Sequence, residues 1–406
     1  MREIEISKLV PGLIFSDPVF IMDNYILVPA YVPIRQKDLD RLVAWGIDTV
    51  KTKGKAITQD DIPEKEPPPE PPNTKKLPKG NQKNAPITRV NKKASKFAIS
   101  EVQENAGPYR SYNSLIDKLD AIFTCVVTGA DLETRTIDNI CSQLLQELRD
   151  NRNSFIGFIL GGEVSGYELA KSSINTAILS ALTAQELKLP QHKILQIVTG
   201  ALLHDIGMLK LPKSIVDKRG QLSDTELQQI KSHPLHTSKI VTKELSYPKE
   251  INLIALQHHE RWDGQGYPEQ LQGTQIDMGA RIVTVADAFE AMVSQKSYRN
   301  SMAGYQAMKN LLADNSRRFD PEVLKAFAKI MGIYPIGSIV LLNNGAYARV
   351  IEVHSSAPLR PTVRILIDDK GKAFNLEDGE VLDLLNIKNV FIKKPVDPVE
   401  FAQVND

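Results

Sequence analysis

Leu203-His204-Asp205-Ile206-Gly207, His233-Pro234, His258-His259-Glu260-Arg261-Trp262-Asp263-Gly264-Gln265-Gly266-Tyr267-Pro268 and Ala286-Asp287 fall within one stretch, Ala201 to Arg299. Four of the seven histidines of the chain lie in these phrases. Each of them alone reads as an ordinary surface or capping residue; together they read as ligands. Imidazoles and carboxylates gathered at the ends of apolar helices suit iron, manganese or zinc. His204 and Asp205 are adjacent near the end of one helix, and the carboxylate can bridge two ions. His233 lies at a helix end before Pro234, and His258 and His259 end another helix. Asp287 sits mid-helix among Val283, Val285 and Ala286, where a buried carboxylate wants a cation. His192, His236 and His354 lie outside the pattern and read as surface histidines.

Outward from this stretch, the middle of the chain has helical periodicity. Leu115, Leu119, Ile122 and Phe123 share one face; Ile137, Ile140, Leu144, Leu145 and Leu148 share another. A short apolar piece, Phe155 to Leu160, precedes a helix from about Ser165 to Leu187. Lys193 to Leu203 follows. Asp224 to His233 reads as a helix capped by Ser223, with Glu226 completing a capping box. Lys249 to His259 and Met278 to Ser294 are further helices.

The flanks differ. Strand-like stretches surround Ile4 to Leu9, Ile14 to Met22 and Tyr25 to Val32, with turn signals at Pro11-Gly12 and Asp23-Asn24. Arg35 to Trp45 reads as a short helix, and Ile47 to Lys51 as a strand. Pro63, Pro67, Pro68, Pro69, Pro71, Pro72 and Pro78 then interleave with Glu and Lys, and apolar residues are too sparse to offset chain entropy. That segment is expected to be a tether, basic in its second half. After Ile336 the period changes: Ser338 to Leu342, Ala348 to His354, Thr362 to Ile367 and Ala373 to Asn375 look like strands. Asn343-Asn344-Gly345 and Asp368-Asp369-Lys370-Gly371 mark hairpin turns. The expected fold is therefore mainly α: a small N-terminal α/β unit (1–57), a linker (58–110), an all-helical domain (111–335), and a small antiparallel β module and tail (336–406).

Composition narrows the rest. With 42% apolar residues and a formal net charge of +1, nothing argues for global attraction to a nucleic acid polymer or an anionic membrane. Cys125 and Cys141 have no zinc-like spacing, and a reduced cytoplasmic setting fits. The N-terminal Met1 to Gly12 lacks a signal peptide's apolar core. No run approaches the roughly 18 apolar residues of a spanning helix.

The His204-Asp205, His258-His259-Glu260, Asp263-Gly264-Gln265-Gly266-Tyr267-Pro268 and Asp287 phrases resemble the HD-GYP branch of the HD superfamily of metal phosphohydrolases. Lys218, Gly220, Leu222-Ser223 and Tyr298-Arg299 extend the likeness, which covers about 165 to 335. The N-terminal unit resembles the small domain that often precedes this module. The resemblance implies an all-helical fold with two or three divalent ions, iron or manganese foremost. It implies hydrolysis of cyclic di-GMP to pGpG and, in many members, GMP. Carried over by residue, His204, Asp205, His233, His258, His259 and Asp287 look like ligands, with Asp205 bridging. Gly266-Tyr267-Pro268 looks like the loop lining the dinucleotide pocket, and in the family it is linked to contacts with diguanylate cyclase (GGDEF) domains. Lys296 and Arg299 fall where members place cations on the substrate phosphates. A homodimer is also compatible with the resemblance.

Two residues depart from the family. Ser172 stands where members place a His, so one ligand is expected to be lost; Glu168, one turn earlier on the same face, matches a Glu that some three-metal members use. Met208 follows His204-Asp205-Ile206-Gly207 where many members have Lys. These departures leave two main readings, an active phosphodiesterase and a catalytically impaired receptor or scaffold for the same nucleotide. A phosphohydrolase for another nucleotide is a third.

Overall fold

The computed structural model describes residues 2–21, 25–28, 30–36, 38–39, 42, 49–57, 107–161, 168–218, 220–294, 304–313, 317–375, 378–397 and 401. These fall into two compact units, 2–57 with 401, and 107–397. The linker expected over 58–110 lies almost wholly outside them, as do the Asp23-Asn24 turn, Lys296 and Arg299.

In the first unit, β1 (Arg2–Glu5), β3 (Val19–Ile21), β4 (Tyr25–Val28) and β5 (Thr49–Thr52) form an antiparallel sheet in the order β1-β5-β3-β4. β2 (Ile14–Phe15) pairs separately with β6 (Ala56–Ile57). The single strand expected over Ile14 to Met22 is thus two. Pro18 lies at the break, where a residue without an N–H suits the start of a strand better than its middle. Strand β1 is also shorter than expected, because Ile6–Lys8 turns as a 3-10 helix. Of the expected Arg35 to Trp45 helix, Gln36, Asp38, Leu39 and Leu42 are described and helical, with Leu39 and Leu42 buried.

The second unit holds α1 (Gly107–Thr128), α2 (Thr134–Asp150), α3 (Arg152–Gly161), α4 (Glu168–Glu186), α5 (Gln191–Leu203), α6 (Lys213–Val216), α7 (Asp224–Ile230), α8 (His233–Lys239), α9 (Lys249–Gln257), α10 (Met278–Val293), α11 (Gly304–Ala313) and α12 (Pro321–Met331). The α1 stripe Tyr112, Leu115, Ile116, Leu119, Ile122, Phe123 and Val126 is buried at the spacing of one helical face. Helix α4 is buried on nearly every side from Ser172 to Ala184. It is therefore the central helix, packed against α1, α5, α10 and α12. Helices α5, α9 and α10 pack on one another. A Cβ on Gly200 or Gly279 would lie 2.5 or 2.7 Å from the Ile254 side chain, so only glycine permits this approach. Residues carried by α5, α9 and α10 are brought together as a result.

Capping chemistry places the shorter pieces. Ser223 accepts from Glu226 N–H, and the Glu226 carboxylate accepts from Ser223 N–H, which starts α7 as expected. The helix expected over Asp224 to His233 ends at Ile230, and His233 opens α8, with Pro234 in its first turn. Proline is tolerated there because the first turn has no intrahelical acceptors for its N–H groups.

The tail forms a five-stranded antiparallel sheet in the order β10-β9-β8-β7-β11, from β7 (Ile339–Leu342), β8 (Tyr347–Glu352), β9 (Thr362–Ile367), β10 (Val381–Asp383) and β11 (Ile392–Val396). The strand expected over Ala373 to Asn375 is one isolated bridge, Ile367 to Ala373. β10 and β11 were not expected. They are edge strands, and Lys393, Lys394 and Pro395 give β11 the polar, proline-bearing composition by which edges avoid further pairing. His354 is not a plain surface residue: its Nε2 lies 3.0 Å from Asp383 Oδ1 and 3.1 Å from Thr362 Oγ1.

Candidate metal centre

Three histidines use one local device. His204 follows the last residue of α5, and its Nδ1 lies 2.7 Å from the Ala201 carbonyl. His233 Nδ1 lies 2.7 Å from Ile230 O, and His258 Nδ1 lies 2.8 Å from Ala255 O. A carbonyl only accepts, so each Nδ1 carries a proton and each ring turns its Nε2 toward the cluster. Orienting a ligand ring through its other nitrogen is the usual support of a metal site.

Those nitrogens face one carboxylate. Asp205 Oδ1 lies 3.1 Å from His233 Nε2 and 3.6 Å from His258 Nε2, and Oδ2 lies 3.5 Å from His204 Nε2. Asp287 Oδ1 approaches His204 Nε2 at 3.6 Å. The His259 ring centre lies 4.0 Å from that of His258, tilted, and 4.9 Å from that of His233, edge-on. Ligand atoms of Asp205, His233, His258 and His259 all lie within 4.8 Å of one another.

This set needs a cation. His233 Nε2 and His258 Nε2 stand 3.2 Å apart, close enough that a proton or a metal ion must be shared between them. His204 Nε2 is fully buried and has no hydrogen-bond partner among the described residues. Burial holds the His258 imidazole below its usual range. Burial and then His258 hold His259 well below it. Burial alone would raise the Asp205 carboxyl, but His204, His233 and His258 outweigh it and hold the group well below the usual range. Neutral His258 and His259 imidazoles and an ionised carboxylate are the protonation states that ligands require. On His204 burial is outweighed by Asp205 and Asp287, which raise it to about 9, so an ion there would displace a proton. The donor set therefore fits a divalent ion of the iron, manganese and zinc type.

Neighbouring contacts lock the pieces. Gly207 N–H donates to Thr237 Oγ1 at 3.0 Å, and that hydroxyl donates to His204 O at 2.9 Å, tying the His-Asp turn to α8. Thr284 on α10 donates to His258 O at 2.7 Å. Glu260, buried, accepts from Glu269 N–H at 2.6 Å and Leu271 N–H at 3.1 Å. It thereby staples the Gly266-Tyr267-Pro268 loop. Gly266 lies against the Glu260 and Arg261 backbone, where a Cβ would come within 2.4 Å. The Tyr267 ring stacks on His259 at 4.7 Å, and the Tyr267–Pro268 peptide is cis.

The remaining sequence candidates divide. Glu168 opens α4 exposed and is not among the four residues whose ligand atoms converge. Ser172 is buried, and its hydroxyl donates to Glu290 Oε2 at 2.6 Å. Asn175 also donates to Glu290, at 3.3 Å, and itself accepts from Tyr112 OH. Met208 is half-buried, and Lys210 donates to the Val126 carbonyl. Sequence reasoning assigned nothing to Glu260, although it completes the His-His-Glu phrase. It also passed over Lys231, two residues before His233, whose ammonium lies 5.5 Å from the Tyr267 ring centre.

Comparison with known proteins finds relatives of the same stretch of chain. Residues 159–323 match the family described as HD domain, and residues 339–404 match the KOW domain associated with HD domain. A cyclic di-GMP phosphodiesterase of Pseudomonas aeruginosa is 29% identical over 244 residues, 60% of this chain and 58% of that protein. One from Borreliella burgdorferi is 25% identical over 389 residues, 95% of this chain and 94% of that one. A cyclic di-GMP phosphodiesterase response regulator of Xanthomonas campestris is 36% identical over 152 residues, covering 37% of this chain and 40% of that protein. The chain thus spans a little over half of the Pseudomonas relative and nearly all of the Borreliella one. Residues 159–323 are thus an HD domain, in a chain similar over most of its length to a cyclic di-GMP phosphodiesterase.

Proposed function

We propose that this protein is a metal-dependent phosphodiesterase that hydrolyses cyclic di-GMP to pGpG, with GMP as the product wherever the linear dinucleotide is cleaved in turn. The observation that carries the reading is the convergence of Asp205, His233, His258 and His259 within 4.8 Å, without any contribution from Ser172. Curated relatives that span part or nearly all of the chain are cyclic di-GMP phosphodiesterases. His233, His258, His259 and Asp205 Oδ1 would hold one ion; His204, Asp287 and Asp205 Oδ2 would hold the other, with Asp205 bridging. Iron or manganese fits best, and Glu168 is available to a third ion. Bound divalent ions supply an acidified water and neutralise phosphate charge. The Nδ1 contacts to Ala201, Ile230 and Ala255 keep the ligand rings from rotating. Tyr267, with Gly266 and Pro268, forms the wall against which the dinucleotide lies. Lys296 and Arg299 would face its phosphates.

The chain divisions at 57, 110 and 335 belong to the same proposal, as do a cytoplasmic setting, a diguanylate cyclase partner and a homodimer. No helix among the described residues is long and apolar enough to cross a membrane. The test is purified protein with manganese or ferrous iron and cyclic di-GMP, the products separated by chromatography. pGpG should form and should vanish after chelation. Nucleotide binding without pGpG under either metal would replace the enzyme by a receptor.

A further inference from the structure

We infer that Lys231 is a substrate-binding residue that grips the phosphodiester of the dinucleotide not being cleaved. The inference deepens the proposed function and rests on it. Lys231 follows α7, whose start is fixed by the capping box and by Lys218 on Glu226 at 2.6 Å. The segment after it is equally fixed. Lys231 N–H donates to Leu227 O, Ser232 Oγ donates to Gln229 O at 2.6 Å, and His233 Nδ1 lies 2.7 Å from Ile230 O. Lys231 is thus rigidly joined to a ring of the metal cluster, two residues away.

Its side chain is half-buried, and the ammonium lies 5.5 Å from the centre of the Tyr267 ring, within the range of a cation–π contact. That same ring stacks on His259 at 4.7 Å. The ammonium and a ligand imidazole therefore both lie against one aromatic ring. Among the described residues the ammonium makes no hydrogen bond or ion pair, whereas Lys218 and Lys329 are paired with Glu226 and Glu186. A partly desolvated cation of this kind is completed by an anion. A cyclic dinucleotide brings two phosphodiesters. The one to be cleaved belongs at Asp205 and the imidazoles. The other, carried on the far side of the same macrocycle, needs a cation near the cluster but outside it, and Lys231 reaches the ring that stacks on His259.

The test compares Lys231→Met, Lys231→Arg and wild type, each loaded with manganese, on two substrates. Cyclic di-GMP has two phosphodiesters; bis(p-nitrophenyl) phosphate has one. Lys231→Met should raise KM for cyclic di-GMP roughly ten- to hundredfold, the worth of one charge-assisted contact, with kcat little changed. Its bis(p-nitrophenyl) phosphate hydrolysis and manganese content should match wild type, and Lys231→Arg should restore most of the affinity. Lys239→Met, an exposed lysine on α8, controls for net charge. An unchanged KM for cyclic di-GMP overturns the inference alone. So does an equal loss on both substrates, which would place Lys231 at the cleaved phosphate or in the scaffold. Wild type inert toward cyclic di-GMP removes the proposed function, and this inference with it, before any variant is compared.

Discussion

Gly207→Ala should damage the metal centre through backbone contact alone. A Cβ at this position would lie 2.2 Å from His233 O, 2.5 Å from Thr237 N and 2.7 Å from Thr237 Oγ1. Two of those atoms are main chain, so no rotamer change relieves the clash. Carbon and oxygen settle no closer than about 3.3 Å, so the Ile206–Lys210 turn and α8 must part by about 1 Å. That separation breaks the Gly207 N–H to Thr237 bond of 3.0 Å. It also draws His233 away from Asp205, now 3.1 Å apart. Overpacking strain of about 1–3 kcal/mol and a lost hydrogen bond of about 1 kcal/mol give a cost of about 2–4 kcal/mol. Manganese affinity should fall at least tenfold, since merely disturbing the partners of ligands costs about 10–100-fold. Calorimetric Tm and metal content by mass spectrometry read the two effects. Gly157→Ala in α3 is the control, because its Cβ would meet nothing within 4 Å and should be neutral or slightly stabilising. A Gly207→Ala protein with wild-type Tm and wild-type manganese content would refute the reasoning.

Two other outcomes follow from the same geometry. Ser172→Ala removes a donor from the buried Glu290 carboxylate and should cost about 1–3 kcal/mol of stability, while bound metal stays at the wild-type level. A fall in bound metal would show that Ser172 serves the ions after all. In the ion-free protein, burial opposes a proton on His204, but Asp205 and Asp287 outweigh it and raise the imidazole to about 9. A raised folded-state pKa gives stability that is complete below the ordinary value of 6.5 and lost as pH climbs through about 9. Burial likewise opposes ionisation of Asp287, but His204 outweighs it and holds the carboxyl at about 2, so its share is complete above 3.8 and lost as pH falls through about 2. After chelation, the Tm advantage of wild type over His204→Asn should therefore shrink between pH 7 and 9.5. Saturating manganese should abolish that slope, because the ion takes the place of the proton. A chelated difference that stays flat across this range would contradict the assignment.

The helical domain was legible because its elements rest on local rules. The one-face spacing of Leu115, Leu119 and Ile122, the Ser223–Glu226 box and the apolar run into His204 each act within a few residues, and the chain displays them directly. The ligand phrases were legible for a similar reason: His-Asp and His-His pairs at helix ends stand out against a background of seven histidines. The edge strands β10 and β11 were not, since an edge needs no alternation when one of its sides faces water. Nor was the start of α8 at His233, because a proline in the first turn reads equally as the end of the preceding helix.

What the chain alone determined is which residues could bind a metal, with the histidines at helix ends and Asp287 within a helix. What only the tertiary structure decided is how they meet. Gly200 and Gly279 let α5, α9 and α10 close on Ile254; the Asp205 oxygens divide between His233 and His258 on one side and His204 on the other; Ser172 turns to Glu290. The physical reason is range. Caps and periodicity act over a turn or two of helix, whereas a shared ion would be held by side chains as distant in sequence as Asp205 and Asp287, and only packing sets the distance between them.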